Sequence, residues 1–169
     1  MRKKILYLMV GIPGCGKSTF CKKLIQDFPD VDISYISRDD IRFEMLQPHE
    51  DYFAHEDDVY STFIYRIKKS LEDDKCEVII ADATHLNERA RNKLLSQLPL
   101  RNAEIIPVFF KVPFEICLKR NNMREGRRKV PESAIQRMAN TLTHPKFDKR
   151  FKYLYVWEVD ENGQTHMAM

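Results

Sequence analysis

The segment Gly11–Ser18, with the sequence GIPGCGKS, constrains the fold more than any other part of the chain. It matches the pattern G-x-x-x-x-G-K-[ST]. The glycines of this pattern let backbone N–H groups turn inward around phosphate oxygens, where a Cβ atom would block the approach. The apolar run Ile5–Val10 precedes the motif, and the helix-period segment Ser18–Phe28 follows it. The sequence therefore predicts a phosphate-binding loop between a buried strand and a helix.

Short apolar runs alternate with helix-period segments along the rest of the chain. This alternation predicts an α/β protein, a three-layer sandwich with a mostly parallel sheet. The length of 169 residues fits one domain over residues 1–169. The predicted strands are Ile5–Val10, Ile33–Ile36, Glu77–Ala81, Glu104–Phe110 and Phe151–Val159; further helices are predicted around Val59–Leu71 and Asn87–Leu98 and from Pro113 and Pro131. Pro107, inside the fourth run, indicates an edge strand or a bulge.

Composition argues against several classes of protein. No apolar run approaches the roughly 20 residues that span a bilayer, so no membrane association is expected. The four cysteines (Cys15, Cys21, Cys76 and Cys117) lack CxxC spacing, so neither a zinc site nor a disulfide framework is expected. A reduced, cytoplasmic location is the simplest expectation. A homo-oligomer is possible, but the sequence does not reveal the oligomeric state.

Charge is spread unevenly along the chain, although the net charge is only +3. Residues 39–58 carry eight acids and one base, whereas residues 111–152 carry twelve bases and four acids. A basic segment of this size fits a polyanionic partner, and an ordinary solvated surface is the alternative explanation.

The loop motif predicts ATP as a ligand, together with Mg²⁺. Lys17 is expected to reach the β- and γ-phosphates, and the Ser18 hydroxyl is expected to ligate Mg²⁺. The other loop positions predicted to contact the nucleotide are Gly11, Pro13, Gly14, Cys15, Gly16 and Thr19. Asp82 follows an apolar run and is expected to support Mg²⁺, directly or through water. Because no glutamate follows Asp82, the sequence favours phosphoryl transfer over hydrolysis.

The segment Ser37–Arg42 follows the second predicted strand, at the sheet edge where open α/β folds bind ligands. If a helix begins here, Asp39 and Arg42 lie on one face. Asp39 could accept the proton of an acceptor hydroxyl, and Arg42 could hold a nearby anion. An acceptor without that anion would leave Arg42 unpaired. The alternative is an acidic helix start that is favoured simply by the helix dipole.

A basic stretch, Arg120–Lys129, contains Gly126 and is predicted to be a lid over residues 120–130. Arg120 and Arg124 on such a segment could close over ATP and neutralise charge in the transition state. A solvated basic loop is the alternative.

In this order the motifs resemble the kinase domain of polynucleotide 5′-kinases. The resemblance rests on G-x-P-G-x-G-K-S-T, on R-D-D-x-R after the second strand, on an aspartate ending the third strand, and on V-P-x(6)-R-N-x-x-R followed by V-P. It implies a P-loop kinase fold. It also implies transfer of the γ-phosphate of ATP to the 5′-hydroxyl of a DNA or RNA end, as in nucleic-acid repair.

The resemblance also implies roles for individual residues. Asp39 matches the general base, and Arg42 matches the arginine that grips the phosphate 3′ to the acceptor nucleoside. Arg124 matches the lid arginine that contacts ATP, with Arg120 as its helper, and Asp82 matches the strand-three aspartate.

One departure from the family pattern keeps other functions open. The sequence DATH at positions 82–85 is the version common among broader P-loop kinases. A small-molecule kinase acting on a nucleoside, antibiotic or nucleotide-sugar is therefore an alternative. A non-catalytic nucleotide-binding module is a weaker one, because the Asp39–Arg42 pair argues against it.

Overall fold

The computed structural model describes residues 2–160 and 165–168. The strands are β1 (Lys4–Val10), β2 (Ile33–Ser37), β3 (Val78–Asp82), β4 (Ala103–Lys111), β5 (Tyr155–Val159) and β6 (Thr165–Ala168). The α-helices are α1 (Lys17–Asp27), α2 (Arg38–Met45), α3 (Glu56–Glu72), α4 (Glu88–Ser96), α5 (Phe114–Asn122) and α6 (Glu132–Thr141). Single 3₁₀ turns lie at Leu100–Asn102 and Gly126–Arg128.

The described strands form one sheet in the order β2-β3-β1-β4-β5-β6. The first five strands are parallel, and β6 is antiparallel to β5. The predicted α/β fold with a mostly parallel sheet is confirmed. The last predicted strand begins at Tyr155 and not at Phe151, which makes only an isolated bridge to Ile105. The short strand β6 was not predicted.

Pro107 does not lie in an edge strand, so that alternative was wrong. It pairs with Leu8 in the ladder between β1 and β4, near the middle of the sheet. The ladder between β4 and β5 begins only at Val108. Pro107 has no N–H to donate, and it lies one residue before β4 begins its continuous pairing with β5. The sheet therefore tolerates a proline at this position.

Two hydrophobic clusters cover the two faces of the sheet, because successive strand residues point to opposite sides. In β1, Leu6 and Leu8 belong to the cluster formed with α2, α3 and α4. Met9 belongs to the cluster formed with α1, α5 and α6. The three predicted layers are thus present, and the carboxyl ends of the parallel strands meet at one edge. Within residues 2–160 and 165–168, no helix combines the length and the apolar character needed to cross a bilayer.

Candidate active site

The phosphate-binding loop connects β1 to α1, as its sequence predicts. Gly14 and Gly16 have φ angles of 83° and 99°, in the left-handed region that favours glycine. A side chain at Gly14 would also collide with the carbonyl oxygen of Cys117 in α5. The glycines therefore allow both the turn of the loop and its close packing on α5.

Lys17, the first residue of α1, holds its ammonium group across the loop. Its Nζ donates to the carbonyl oxygens of Gly11 at 2.8 Å and Ile12 at 3.0 Å. Burial by itself would lower the pKa of Lys17, but the nearby Cys15, Asp82 and Asp39 outweigh it and raise that pKa. The lysine therefore stays cationic at the place where the loop is shaped for phosphate.

Cys15 is a poorer candidate for nucleotide contact than its position in the motif indicates. Its side chain is only 1% exposed and packs in the cluster beneath the loop. Its backbone N–H donates to the carbonyl of Ile12 at 3.3 Å. The thiol therefore faces the interior of the protein.

Ser18 and Asp82 come together at the mouth of the loop. The Ser18 hydroxyl donates to Asp82 Oδ2 at 3.2 Å, and the Tyr35 hydroxyl donates to the same oxygen at 2.5 Å. Burial raises the pKa of Asp82, and the charge of Lys17 opposes that rise. A hydroxyl and a carboxylate side by side are the hard oxygen donors that Mg²⁺ prefers. No three His, Cys, Asp or Glu side chains gather as a metal site in the described part of the chain. Ser18 and Asp82 are therefore the residues that would hold a magnesium ion, which would supply positive charge beside the phosphate-binding loop.

Helix α2 brings Asp39 and Arg42, which the sequence predicts to act on an acceptor, to the same place. The Ser37 side chain accepts a hydrogen bond from the Asp40 N–H at 3.2 Å, so it caps the helix directly after β2. The first turn of α2 then faces the phosphate-binding loop across a cleft of about 280 Å³. Predicted residues that line this cleft are Pro13, Gly14, Gly16, Lys17, Ser18, Thr19, Asp39, Arg42, Asp82 and Arg124. Arg120 lines the neighbouring cavity.

The carboxylate of Asp39 is anchored at one oxygen. Asp39 Oδ1 accepts hydrogen bonds from Arg42 Nη1 and from the Tyr52 hydroxyl, the latter at 2.7 Å. Burial, followed by the charge of Asp39, raises the pKa of Tyr52, so the phenol remains a donor. Among the described residues Asp39 Oδ2 has no hydrogen-bond partner, and the side chain is 49% exposed. One carboxylate oxygen is therefore fixed while the other can accept a proton from a molecule in the cleft.

Arg42 is buried and fully engaged, contrary to the expectation that it would lack a partner without a substrate anion. It is 5% exposed, and its Nε and Nη2 donate to Glu56 Oε1 at 2.8 and 2.6 Å. Its guanidinium also lies 4.4 Å from the centre of the Tyr52 ring. An acceptor that lacks an anion would therefore not leave Arg42 unpaired.

The lid contacts both walls of the cleft. Arg120 Nη1 donates to the Gly14 carbonyl at 3.4 Å, and Arg124 lines the cleft. On the other side Arg127 Nη1 donates to the Leu46 carbonyl, just after α2, at 2.9 Å. The guanidinium of Arg127 also lies 5.4 Å from the ring centre of Phe43 in α2. The predicted lid segment therefore bridges the phosphate-binding loop and helix α2.

A buried amide fixes the base of the lid. The Asn121 side chain donates to the Val130 carbonyl at 2.9 Å and accepts from the Val130 N–H at 3.0 Å. These two bonds hold the two ends of the basic segment together while the residues between them stay largely exposed.

Sequence reasoning missed several residues around the cleft: Tyr35, Arg38, Tyr52, Glu56 and Asn121. Two of them carried a signal, because Arg38 is the first residue of the R-D-D-x-R pattern and Asn121 is the asparagine of the R-N-x-x-R pattern. Tyr35, Tyr52 and Glu56 act through partners on other segments of the chain, and no local spacing marks them.

A sequence profile of the AAA domain family matches residues 6–145, which is most of the chain. The chain belongs to the AAA domain family. Among curated proteins, L-seryl-tRNA(Sec) kinase from Methanococcus maripaludis is 28% identical over 159 residues. That match covers 93% of this chain but only 57% of the archaeal protein. This member of the family thus spans little more than half the length of that relative.

Solved structures agree with this placement. A chain in the structure of the Pnkp1/Rnl/Hen1 RNA repair complex is 26% identical, with a TM-score of 0.69 over 84% of this chain and 45% of that chain. A fungal RNA kinase shares the fold at 16% identity, with a TM-score of 0.68 over 95% of this chain and 78% of that chain. This AAA domain protein has the fold of a P-loop kinase.

Proposed function

We propose that this protein transfers the γ-phosphate of ATP to the 5′-hydroxyl at the end of a DNA or RNA strand. The observation that carries the proposal is the placement of Asp39, Lys17 and Arg124 around one cleft. A proton acceptor thereby faces a phosphate-binding loop, and cations lie on both sides.

The chemistry assigns each side chain one task. Asp39 accepts the proton of the acceptor hydroxyl at Oδ2 as the hydroxyl oxygen bonds to the γ-phosphorus. The bond between that phosphorus and the bridging oxygen breaks, and ADP leaves with the electron pair. Lys17 and Arg124 neutralise the charge on the phosphate oxygens. Magnesium, bound near Ser18 and Asp82, would supply further charge neutralisation.

Two features support a nucleic-acid acceptor over other alcohols. Arg38 and Arg42 line the cleft beside Asp39 on α2, which favours an acceptor with an anionic group near its hydroxyl, although Glu56 already pairs with both guanidinium groups. The basic residues of the lid are largely exposed, as a polyanionic strand requires. The names of the similar proteins, a seryl-tRNA kinase and a component of an RNA repair complex, are consistent with this substrate class.

A second candidate function follows from the archaeal relative. Its name describes a kinase for the serine hydroxyl of seryl-tRNA, which is also an alcohol carried by a nucleic acid. The cleft of this chain would serve such an acceptor with the same base and the same loop.

Labelled ATP with a panel of acceptors tests the proposal. The panel contains DNA and RNA oligonucleotides with 5′-hydroxyl ends, the same oligonucleotides with 5′-phosphates, seryl-tRNA, nucleosides and sugars, and Asp39→Asn is the inactive control. We expect label only on the 5′-hydroxyl oligonucleotides, at the 5′ end, and falling as salt rises. Label on seryl-tRNA alone would establish the second candidate. Label on nucleosides or sugars alone would establish a small-molecule kinase.

A further inference from the structure

Two carboxylates that line the cleft, those of Asp39 and Asp82, are each held at one oxygen by a tyrosine hydroxyl. Tyr52 donates to Asp39 Oδ1 at 2.7 Å, and Tyr35 donates to Asp82 Oδ2 at 2.5 Å. The two carboxylates differ in access, because the Asp39 side chain is 49% exposed whereas Asp82 is 5% exposed. Asp39 is therefore open to a bulky acceptor, while Asp82 can be reached only by a small ligand such as water or a cation.

The register of the sheet brings Tyr35 to Asp82. Asp82, at the end of β3, is paired with Ser37 of β2, and Tyr35 comes two residues before Ser37. Because side chains alternate across a strand, Tyr35 lies on the same face of the sheet as Asp82. The tyrosine side chain therefore reaches diagonally between neighbouring strands to the carboxylate, and its ring packs against the hydrophobic cluster formed with α1, α5 and α6.

Tyr35 acts on the cleft through Asp82. In the part of the chain that the structure describes, Tyr35 does not line the cleft, whereas Ser18, the other donor to Asp82 Oδ2, does. Ser18 is itself an expected metal ligand, and a serine hydroxyl rotates to suit its neighbours. The Tyr35 hydroxyl is therefore the contact that fixes Asp82 whatever Ser18 binds. With Oδ2 held in this way, Oδ1 has no hydrogen-bond partner among residues 2–160 and 165–168, and it is the oxygen left for a cation or for water bound to one.

We infer that Tyr35 is a positioning residue for the divalent cation that accompanies the nucleotide, because it fixes Asp82 in the orientation that supports this cation. The inference rests on the proposed function, in which the nucleotide is ATP with Mg²⁺. It goes further by giving a residue of β2, outside the phosphate-binding loop, a role in metal binding. Loss of a hydrogen-bond partner behind a metal ligand typically weakens metal binding by about 10- to 100-fold.

Titrations with a non-hydrolysable ATP analogue, in excess Mg²⁺ and in EDTA, test the inference. We define the metal factor as the Kd of the analogue in EDTA divided by its Kd in Mg²⁺. Since the analogue binds Mg²⁺ in solution equally for every variant, a difference in the metal factor comes from the protein. We expect Tyr35→Phe to lower the metal factor about tenfold or more, and to leave the Kd in EDTA within about twofold of the wild-type value.

Two further variants serve as controls. Tyr60→Phe also removes a tyrosine hydroxyl, one that donates to Gln97 Oε1 at 2.7 Å outside the cleft, and it should keep the wild-type metal factor. Asp82→Asn should itself have a low metal factor, because the carboxylate charge is lost. Adding Tyr35→Phe to Asp82→Asn should then change the metal factor by less than about twofold, since Tyr35 acts through Asp82.

A purely structural role for Tyr35 would give a different pattern. In that case Tyr35→Phe would raise the Kd of the analogue by the same factor in EDTA and in Mg²⁺, and the inference would be wrong. A wild-type metal factor in Tyr35→Phe, or a full additional loss in the double variant, would equally refute it.

These titrations separate the inference from the proposed function because they need no acceptor and no phosphoryl transfer. The expected pattern in a protein that labels no 5′-hydroxyl end would refute the proposed function and leave the role of Tyr35 standing. Transfer to 5′-hydroxyl ends, combined with a wild-type metal factor in Tyr35→Phe, would support the proposed function and refute the inference. An analogue that does not bind the wild-type protein would refute both.

Discussion

His85 provides a test of the structure that does not depend on the substrate. It lies buried between β3 and α4 with a φ angle of 43°, the one positive φ outside glycine in the described residues. Its Nδ1 is 2.6 Å from the Met9 carbonyl oxygen. Because a carbonyl can only accept, Nδ1 carries the proton in the neutral ring. Burial lowers the pKa of His85 to about 3, against an ordinary value of 6.5.

This difference in pKa makes stability depend on pH. The folded chain keeps His85 neutral, whereas the unfolded chain protonates it below pH 6.5. The stability that comes from keeping His85 neutral is therefore fully present above pH 6.5 and is lost as pH falls towards 3. The loss approaches about 1.4 kcal/mol per pH unit, or about 2 kcal/mol between pH 7 and pH 5. For a chain of this length that corresponds to a fall in Tm of about 4–8 °C.

Urea unfolding at pH 7, 6 and 5 measures the effect. We expect His85→Asn to be less stable than wild type at pH 7 but to lose about 2 kcal/mol less between pH 7 and pH 5. Asparagine is chosen because it tolerates a positive φ. His49→Gln, at an exposed position, is the matched control and should keep the wild-type dependence. If His85→Asn and wild type lose the same free energy, His85 is not held neutral in the folded protein.

Three further predictions concern the cleft and the thiols. Asp39→Asn should lower kcat about 100-fold or more, as expected for loss of a positioned base, while a fluorescent nucleotide titration finds ATP affinity unchanged; near-normal turnover would contradict the assignment. Arg124→Ala should lower kcat/KM for ATP by roughly 10- to 150-fold in steady-state assays, and Arg127→Ala should cost much less; equal losses would indicate a diffuse basic patch. All four cysteines are buried, so a thiol reagent followed by mass spectrometry should modify them slowly until denaturant is added, and rapid labelling of Cys15 by the native protein would contradict its burial.

Short sequence patterns predicted those site residues whose positions depend on neighbouring residues in the chain. The loop motif located Lys17 and Ser18, since the backbone turn and the helix start are encoded in consecutive residues. The end of an apolar run located Asp82, because parallel strands bring their carboxyl ends to one edge. Helical spacing placed Asp39 and Arg42 on one face.

Tertiary contacts determine what the sequence did not predict. Glu56 lies 14 positions from Arg42 and belongs to another helix, so no spacing rule pairs them. The position of Pro107 was misjudged because the rule that places proline in edge strands concerns hydrogen bonds between neighbouring strands. Which strands are neighbours of β4 is known only from the sheet order. The burial of the Cys15 thiol likewise depends on the packing of the loop against α5.

The lid that bridges the two walls of the cleft has a thermodynamic consequence. Arg120 contacts the phosphate-binding loop and Arg127 contacts Leu46 at the end of α2, so in the proposed function one segment touches the regions that bind both substrates. By linkage, the factor by which bound nucleotide changes acceptor affinity through this segment equals the factor by which bound acceptor changes nucleotide affinity. Loss of the Arg127 contact would therefore reduce both factors equally, whichever substrate binds first.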